Sequence, residues 1–319
     1  MSRFLPLAFL IFLLASCQSL NSPKNPSGLF IISAHEHIAS HEEVPKLLSV
    51  MDRVGIQKMV LLGSPSKTFQ PERQGFRDYD QNNETVLEIS KRNPDRFIPF
   101  VTIDPEDPLK LTKLKNFLLR GAKGLKLFSG HRVFHKLLLD DPGMEEVYSY
   151  CEQNQVPVIF HVNAGYYEEE FERVLNAHPS LKVLCPHFCL SSIASDRFER
   201  LMARHPNLYT DLSFGMESYL TAALIRFSKD SGKYRRLIQQ YQDRILFGTD
   251  AVLDGNPRKD ILWLENIYKT YRSLIEDASY EAAMLPGREL KGLALKKEVL
   301  MKVYRINFDQ FIAIYSKEK

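Results

Sequence analysis

Eight short apolar runs, most of them with β-branched residues, recur along the chain at Leu29–Ala34, Ile56–Gly63, Phe97–Ile103, Gly124–Phe128, Val156–Val162, Leu181–Cys185, Leu208–Leu212 and Ile245–Gly248. Each has the length and residue types of a buried strand. Between them lie stretches of helical period, such as Glu84–Arg92 and Phe171–His178. Proline punctuates the pattern: Asn93-Pro94, His178-Pro179 and His205-Pro206 each stop a helix ahead of the next strand, because proline cannot continue it. Strands that alternate with helices run parallel and are joined by right-handed crossovers, and eight such units close most simply into a barrel. The expected fold is therefore α/β, a TIM (β/α)8 barrel. A doubly wound open sheet is the alternative, but no Gly-x-Gly-x-x-Gly turn follows the first strand. The 319 residues, 44% of them hydrophobic, supply one barrel of about 250 residues and some additional helices.

The first residues stand outside this pattern. Arg3 precedes an apolar run from Phe4 to Leu14 that is too short to cross a membrane as a folded helix and reads as a secretory signal. Leu14-Ala15-Ser16-Cys17 resembles a bacterial lipobox. The expected organisation is a signal peptide over 1–16, a lipidated Cys17 with a polar Pro/Ser-rich tether over 17–28, and the barrel with its C-terminal helices over 29–319. Gln18 after the cysteine resembles outer-membrane sorting, which places the expected location in the cell envelope, at the outer membrane or facing the periplasm of a Gram-negative host. A net charge of +3 spread over interleaved acids and bases gives no footprint for nucleic acid. Beyond Cys17 only Cys151, Cys185 and Cys189 remain, and that odd, sparse set argues against a disulfide framework. Cys185 and Cys189, four apart on what reads as one strand, are not expected to pair.

Reactive residues of a TIM barrel sit where strands end, at the C-terminal rim. The first run ends in Ala34-His35-Glu36-His37, and a period of two places both imidazoles on one face and Glu36 on the other. The fifth ends in His161, the sixth in Cys185-Pro186-His187, and the eighth in Gly248-Thr249-Asp250. His178 and His205 fall ahead of strands, at the far rim, where capping a helix is their expected role. His41, His131 and His135 lie in or near rim loops and receive no assignment.

His35-Glu36-His37, Gly124-Leu125-Lys126-Leu127, His161, His187 and Gly248-Thr249-Asp250 together resemble the amidohydrolase superfamily, in its amidohydrolase-related branch. That branch also contains metal-dependent decarboxylases. The resemblance implies that His35, His37, His161 and Asp250 hold one divalent ion per chain, zinc, whose bound hydroxide attacks an amide, ester or lactone carbonyl of a small molecule. It implies that Asp250 also takes the water's proton and passes it to the leaving group, and that His187 polarises the carbonyl. The alternative is a non-oxidative decarboxylase on the same metal frame; a third class is a binding lipoprotein that has lost catalysis. Two departures stand out: Ser33 occupies the place of the family's usual aspartate, and Phe188-Cys189 follows His187 where a glycine is usual.

Lys126 points inward by alternation, and an unpaired ammonium there is costly. Three readings stay open, in this order: a cation for a substrate carboxylate, an ion pair with a neighbouring strand's acid, and a carboxylated bridge between two metals. Arg132 is a further candidate for an anionic substrate, and Arg258, Asn163, Tyr166, Tyr167 and Glu217 lie in rim loops. The oligomeric state is left open.

Overall fold

The computed structural model describes residues 28–313. The signal peptide, Cys17 and nearly all of the tether lie outside these residues. Nine strands form one parallel sheet: β1 (Ile32–Ile38), β2 (Lys58–Leu62), β3 (Phe97–Thr102), β4 (Gly124–Gly130), β5 (Val158–Val162), β6 (Val183–Cys185), β7 (Leu208–Asp211), β8 (Ile245–Leu246) and β9 (Ala251–Leu253). Neighbours run in chain order from β1 to β8, and β9 pairs with the free side of β1. β8 and β9 are two halves of one passage of chain, so the sheet curls round on itself. Backbone hydrogen bonds from Ala34 N to Phe247 O and from Asp250 N to His35 O, both 2.8 Å, span the junction. The molecule is an α/β TIM barrel.

Each strand from β1 to β8 differs in at least one bound from its apolar run, and two of the differences bear on the site. The first strand begins at Ile32 rather than Leu29 and continues through Ile38, so His35 and His37 lie inside it. A bulge between Ser33 and Glu36 shifts its register against β2. The eighth strand breaks after Leu246 and resumes at Ala251, because the intervening residues turn inward to carry Asp250.

Helices cover the outer face of the sheet. Val44–Val54 shows how: Leu47, Val50, Met51 and Val54 recur at helical spacing and are buried, and Gly55 ends the helix in the left-handed conformation at φ 70°. Inside the barrel a second apolar cluster is built from alternate strand residues, including Ile32, Val60, Phe100, Ile159, Leu184 and Leu246. Phe308 and Phe311, from the C-terminal helix Asn307–Ile312, join this inner cluster, with the Phe311 ring 5.2 Å from Tyr209. They close the floor at the N-terminal ends of the strands. Small residues leave space for the large ones: a Cβ on Gly124 would come within 2.2 Å of the Phe100 ring. A two-stranded hairpin, Ser279–Glu281 with Glu289–Lys291, is separate from the barrel sheet but buries Tyr280 and Leu290 in the main apolar core, and was not foreseen.

Candidate metal centre

Strand β1 delivers His35 and His37 to the interior, both buried. His35 Nδ1 lies 2.8 Å from Asp211 Oδ2. An ionised carboxylate only accepts, so the ring proton is on Nδ1 and Nε2 keeps its lone pair. His37 Nδ1 lies 2.7 Å from Ser64 Oγ, whose own hydrogen goes to Leu62 O at 2.9 Å, so the hydroxyl oxygen accepts and His37 Nε2 is also left bare. His187 Nδ1 donates to Ser213 O at 3.0 Å, which fixes the same tautomer a third time.

These three Nε2 atoms converge on Asp250. Its Oδ1 is 3.3 Å from His35 Nε2 and 3.0 Å from His37 Nε2, and its Oδ2 is 3.6 Å from His187 Nε2. A lone pair then faces a carboxylate oxygen across each gap, an arrangement that only positive charge between them stabilises. One such charge is present: the Lys126 ammonium stands 3.1 Å from His35 Nε2. The ligand atoms of His35, His37 and Asp250 all lie within 4.8 Å of one another, the spacing of a metal shell. A second group within that spacing, His35, His187 and Asp211, is explained by the hydrogen bonds that Asp211 accepts.

Protonation agrees. Burial, then the Lys126 charge, lowers the His35 pKa to about 4 against the opposing carboxylates of Asp250 and Asp211. Burial likewise lowers His37 and His161, so these imidazoles are neutral at pH 7, as metal ligation requires. Asp250 is held well below its usual range against the opposing effect of burial, and with the imidazoles neutral the positive charge that favours its ionised form is that of Lys126.

The break in the eighth strand aims Asp250, which adopts φ 57°. Gly215, itself at φ 65°, makes room, since a Cβ there would fall 2.4 Å from Asp250 Oδ2. Glu36 faces away from the imidazoles, as alternation required, and fastens the break to β1. It accepts from Ser33 Oγ, from Thr249 Oγ1 at 2.8 and 2.9 Å, and from Ala251 N at 3.0 Å. Burial pushes its pKa up to about 8 against those hydrogen bonds. Ser33 therefore serves Glu36.

His187 sits on an unusual turn. Directly after β6 and Pro186, His187, Phe188, Cys189 and Leu190 have φ of 59°, 55°, 53° and 52°. Four consecutive left-handed residues without a glycine cost about 1–2 kcal/mol each. Packing opposes that cost: the buried Phe188 ring lies 5.2 Å from Phe198 and 5.8 Å from Phe227. Cys185 and Cys189, with Cα atoms 5.1 Å apart, form a disulfide across the turn. This corrects the sequence expectation. The strand stops at Cys185, and the left-handed turn folds Cys189 back onto it.

Of the other predicted residues, His161 on β5 packs its ring 5.0 Å from His187 and 4.7 Å from His131. It belongs to neither close group, and among the described residues its nitrogens make no hydrogen bond. Lys126 is fully buried, with its pKa lowered to about 8 chiefly by burial. Its partner is His35 and not a neighbouring acid, which sets aside the direct ion-pair reading. Arg132 is exposed at the rim, its guanidinium 4.6 Å over the Tyr166 ring. Arg258 and Glu217 are exposed; Asn163 caps the helix Ala164–Ala177, and Tyr167 stacks on His135. His178 and His205 cap helix C-termini, as expected. Sequence reasoning missed Asp211, Ser64 and Ser213. The signal for Asp211 was available: an acid at the rim end of the seventh strand.

Fold and site together define a TIM barrel with a histidine–aspartate group at its C-terminal mouth that could hold a metal ion. The amidohydrolase family model matches residues 59–300, more than half of the chain, and the protein belongs to that family. No curated protein matches the sequence. Among solved structures the chain is similar to a probable 2-pyrone-4,6-dicarboxylic acid hydrolase from Acinetobacter baumannii with citric acid bound (13% identity, 89% of this chain and 99% of that one, TM-score 0.60). It is similar to 2,6-dihydroxybenzoate decarboxylase from Rhizobium (17%, 90% and 99%, 0.57). A third is 5-carboxyvanillate decarboxylase from Novosphingobium aromaticivorans complexed with manganese and 4-hydroxy-3-methoxy-5-nitrobenzoic acid (13%, 90% and 97%, 0.56).

Asp211 provides a direct test of the tautomer argument. Asp211→Asn preserves shape and one acceptor but presents an amide N–H to His35 Nδ1, which drives the ring proton to Nε2. Zinc affinity measured by competition with a chromogenic chelator should fall about 10–100-fold, with the thermal midpoint nearly kept. Unchanged affinity contradicts the assignment.

Proposed function

We propose that this protein is a metal-dependent hydrolase that opens an amide, ester or lactone bond of a small molecule, with anionic substrates favoured. The observation that carries the reading is the set of imidazoles whose Nδ1 protons are committed elsewhere, leaving bare Nε2 atoms around one carboxylate. In this reading His35, His37, His161 and Asp250 hold one zinc ion per chain, and His161 supports it by having no hydrogen-bond partner among the described residues. A divalent ion held there supplies a Lewis acid that brings the pKa of water toward 7.

Asp250, kept ionised, accepts the water's proton and delivers it to the leaving atom. His187 polarises the scissile carbonyl. Its Nδ1 proton is engaged by Ser213 O, so Nε2, which faces Asp250 Oδ2 at 3.6 Å, is the atom through which it acts, and it donates there once a proton is taken up. Lys126 and Arg132 are the residues for the substrate's negative charge.

Decarboxylation is the second reading. Lys126 favours it, since a buried ammonium beside a metal ligand also suits a substrate carboxylate, and two of the similar structures are named decarboxylases. Metal analysis of His35→Ala and His161→Ala should show steep losses, while His178→Ala, at the far rim, keeps its ion. Asp250→Asn should retain much of its metal yet turn over about 10²–10⁴-fold more slowly on a panel of amides, lactones and aromatic acids. Carbon dioxide as product selects the lyase; full activity of Asp250→Asn contradicts the mechanism.

We further propose that lipid on Cys17 tethers this barrel to the envelope, on the strength of the Leu14-Ala15-Ser16-Cys17 sequence. Among the described residues no helix is long and apolar enough to cross a membrane. Cys17→Ser should leave the precursor unprocessed or release the protein from membranes; detergent partitioning equal to the parent's, with the signal removed, rules lipidation out.

A further inference from the structure

The Cys185–Cys189 disulfide encloses the one turn that carries His187, in the segment Cys185-Pro186-His187-Phe188-Cys189. Every residue from Cys185 to Cys189 is buried, and four successive non-glycine residues from His187 onward are held in the left-handed region. None of the four residues from His187 to Leu190 is glycine, the residue that adopts this backbone at no steric cost. Something other than glycine must therefore hold the turn here. The backbone returns Leu190 N to His187 O at 2.9 Å, and Phe188 anchors one side in an aromatic pocket, but His187 itself is fixed only through Ser213 and Asp211.

We propose that Cys185 and Cys189 are positioning residues whose crosslink sets the direction of the His187 imidazole, so that the oxidation state of this pair governs the geometry of the site. Two electrons and two protons from a dithiol convert the S–S bond into two thiols, with the dithiol closing to its own disulfide; an oxidised dithiol reverses the exchange. The reduced turn is free to relax from its left-handed path, and Nε2 of His187 then leaves its place opposite Asp250 Oδ2. Cys151 is buried elsewhere, on the helix Glu145–Gln153, and takes no part. The inference concerns the placement of a side chain and holds whichever bond the enzyme breaks.

The full chain, labelled with 15N-histidine and purified without reductant, provides the test, with the His187 signal identified by its loss in His187→Gln. Peptide mapping after alkylation in denaturant should find Cys151 modified but Cys185 and Cys189 protected until a dithiol is added. In the oxidised protein the His187 nitrogens should report the Nδ1–H tautomer alone; on reduction they should shift toward an average of tautomers, while His35 keeps its own pattern and the far-ultraviolet spectrum is unchanged. Cys151→Ser should respond as the parent does. Cys185→Ser/Cys189→Ser should resemble the reduced protein and ignore the dithiol; should that variant fail to fold, the reversible response of the parent decides. Free thiols at Cys185 and Cys189 in the untreated chain, or a His187 signal indifferent to reduction, overturns the proposal.

Discussion

The carboxylate of Asp211 is the contact on which the site rests. It is fully buried, where an ion without partners is strongly disfavoured, and it is satisfied by donors from three strand ends: His35 Nδ1 from β1, His187 N from the turn after β6, and Ser213 N and Oγ just beyond β7. Burial acts to raise its pKa, but the neighbouring His35 and His187 and these hydrogen bonds hold it far below the usual carboxylate range. An ionised Asp211 dictates the His35 tautomer and draws the start of the left-handed turn against β7. It touches no metal in the proposed arrangement, yet it fixes the His35 ring and, through the His187 backbone N–H, the start of the turn that carries the second imidazole.

Barrel closure and catalytic geometry use the same stretch of chain. The eighth strand breaks at the seam, so its first half completes pairing with β7, its second half pairs with β1, and the residues between them point Asp250 inward. Glu36 makes the break affordable by accepting from Thr249 and Ala251, whose hydroxyl and N–H the interrupted ladder would leave unpaired. Glycine at 248 lets the segment pass close to His35, where a Cβ would lie 3.0 Å from the histidine's own. The charges do not cancel among these residues: the ionised Asp211 and Asp250 face neutral imidazoles, and Lys126 supplies one positive charge without a direct carboxylate contact, which leaves one negative charge for a cation to meet.

Much of this was legible in the chain because it depends on periodicity. Alternation in His35-Glu36-His37 separates two imidazoles from the buried acid, eight apolar runs specify the barrel, and rim position distinguishes His161 and His187 from His178 and His205. What escaped depends on contacts distant in sequence or on backbone signs that no local pattern encodes. Asp211 acts through His35, 176 positions away. The bulge in β1, the split of the eighth strand and the run of positive φ after Pro186 are departures from ideal strands, and a period-two reading assumes ideal strands. The disulfide was missed for that reason: Cys189 was placed on a strand that in fact ends at Cys185.

The central claim is that the bare Nε2 atoms of β1, with Asp250, hold a single divalent ion. Crystals of the chain grown with zinc and measured across the zinc absorption edge address it directly. The account requires one anomalous peak per chain, about 2.0–2.2 Å from His35 Nε2, His37 Nε2, His161 and an Asp250 oxygen, with Lys126 moved off His35 Nε2. Two peaks bridged by a modified Lys126, or zinc bound only away from β1, would contradict it.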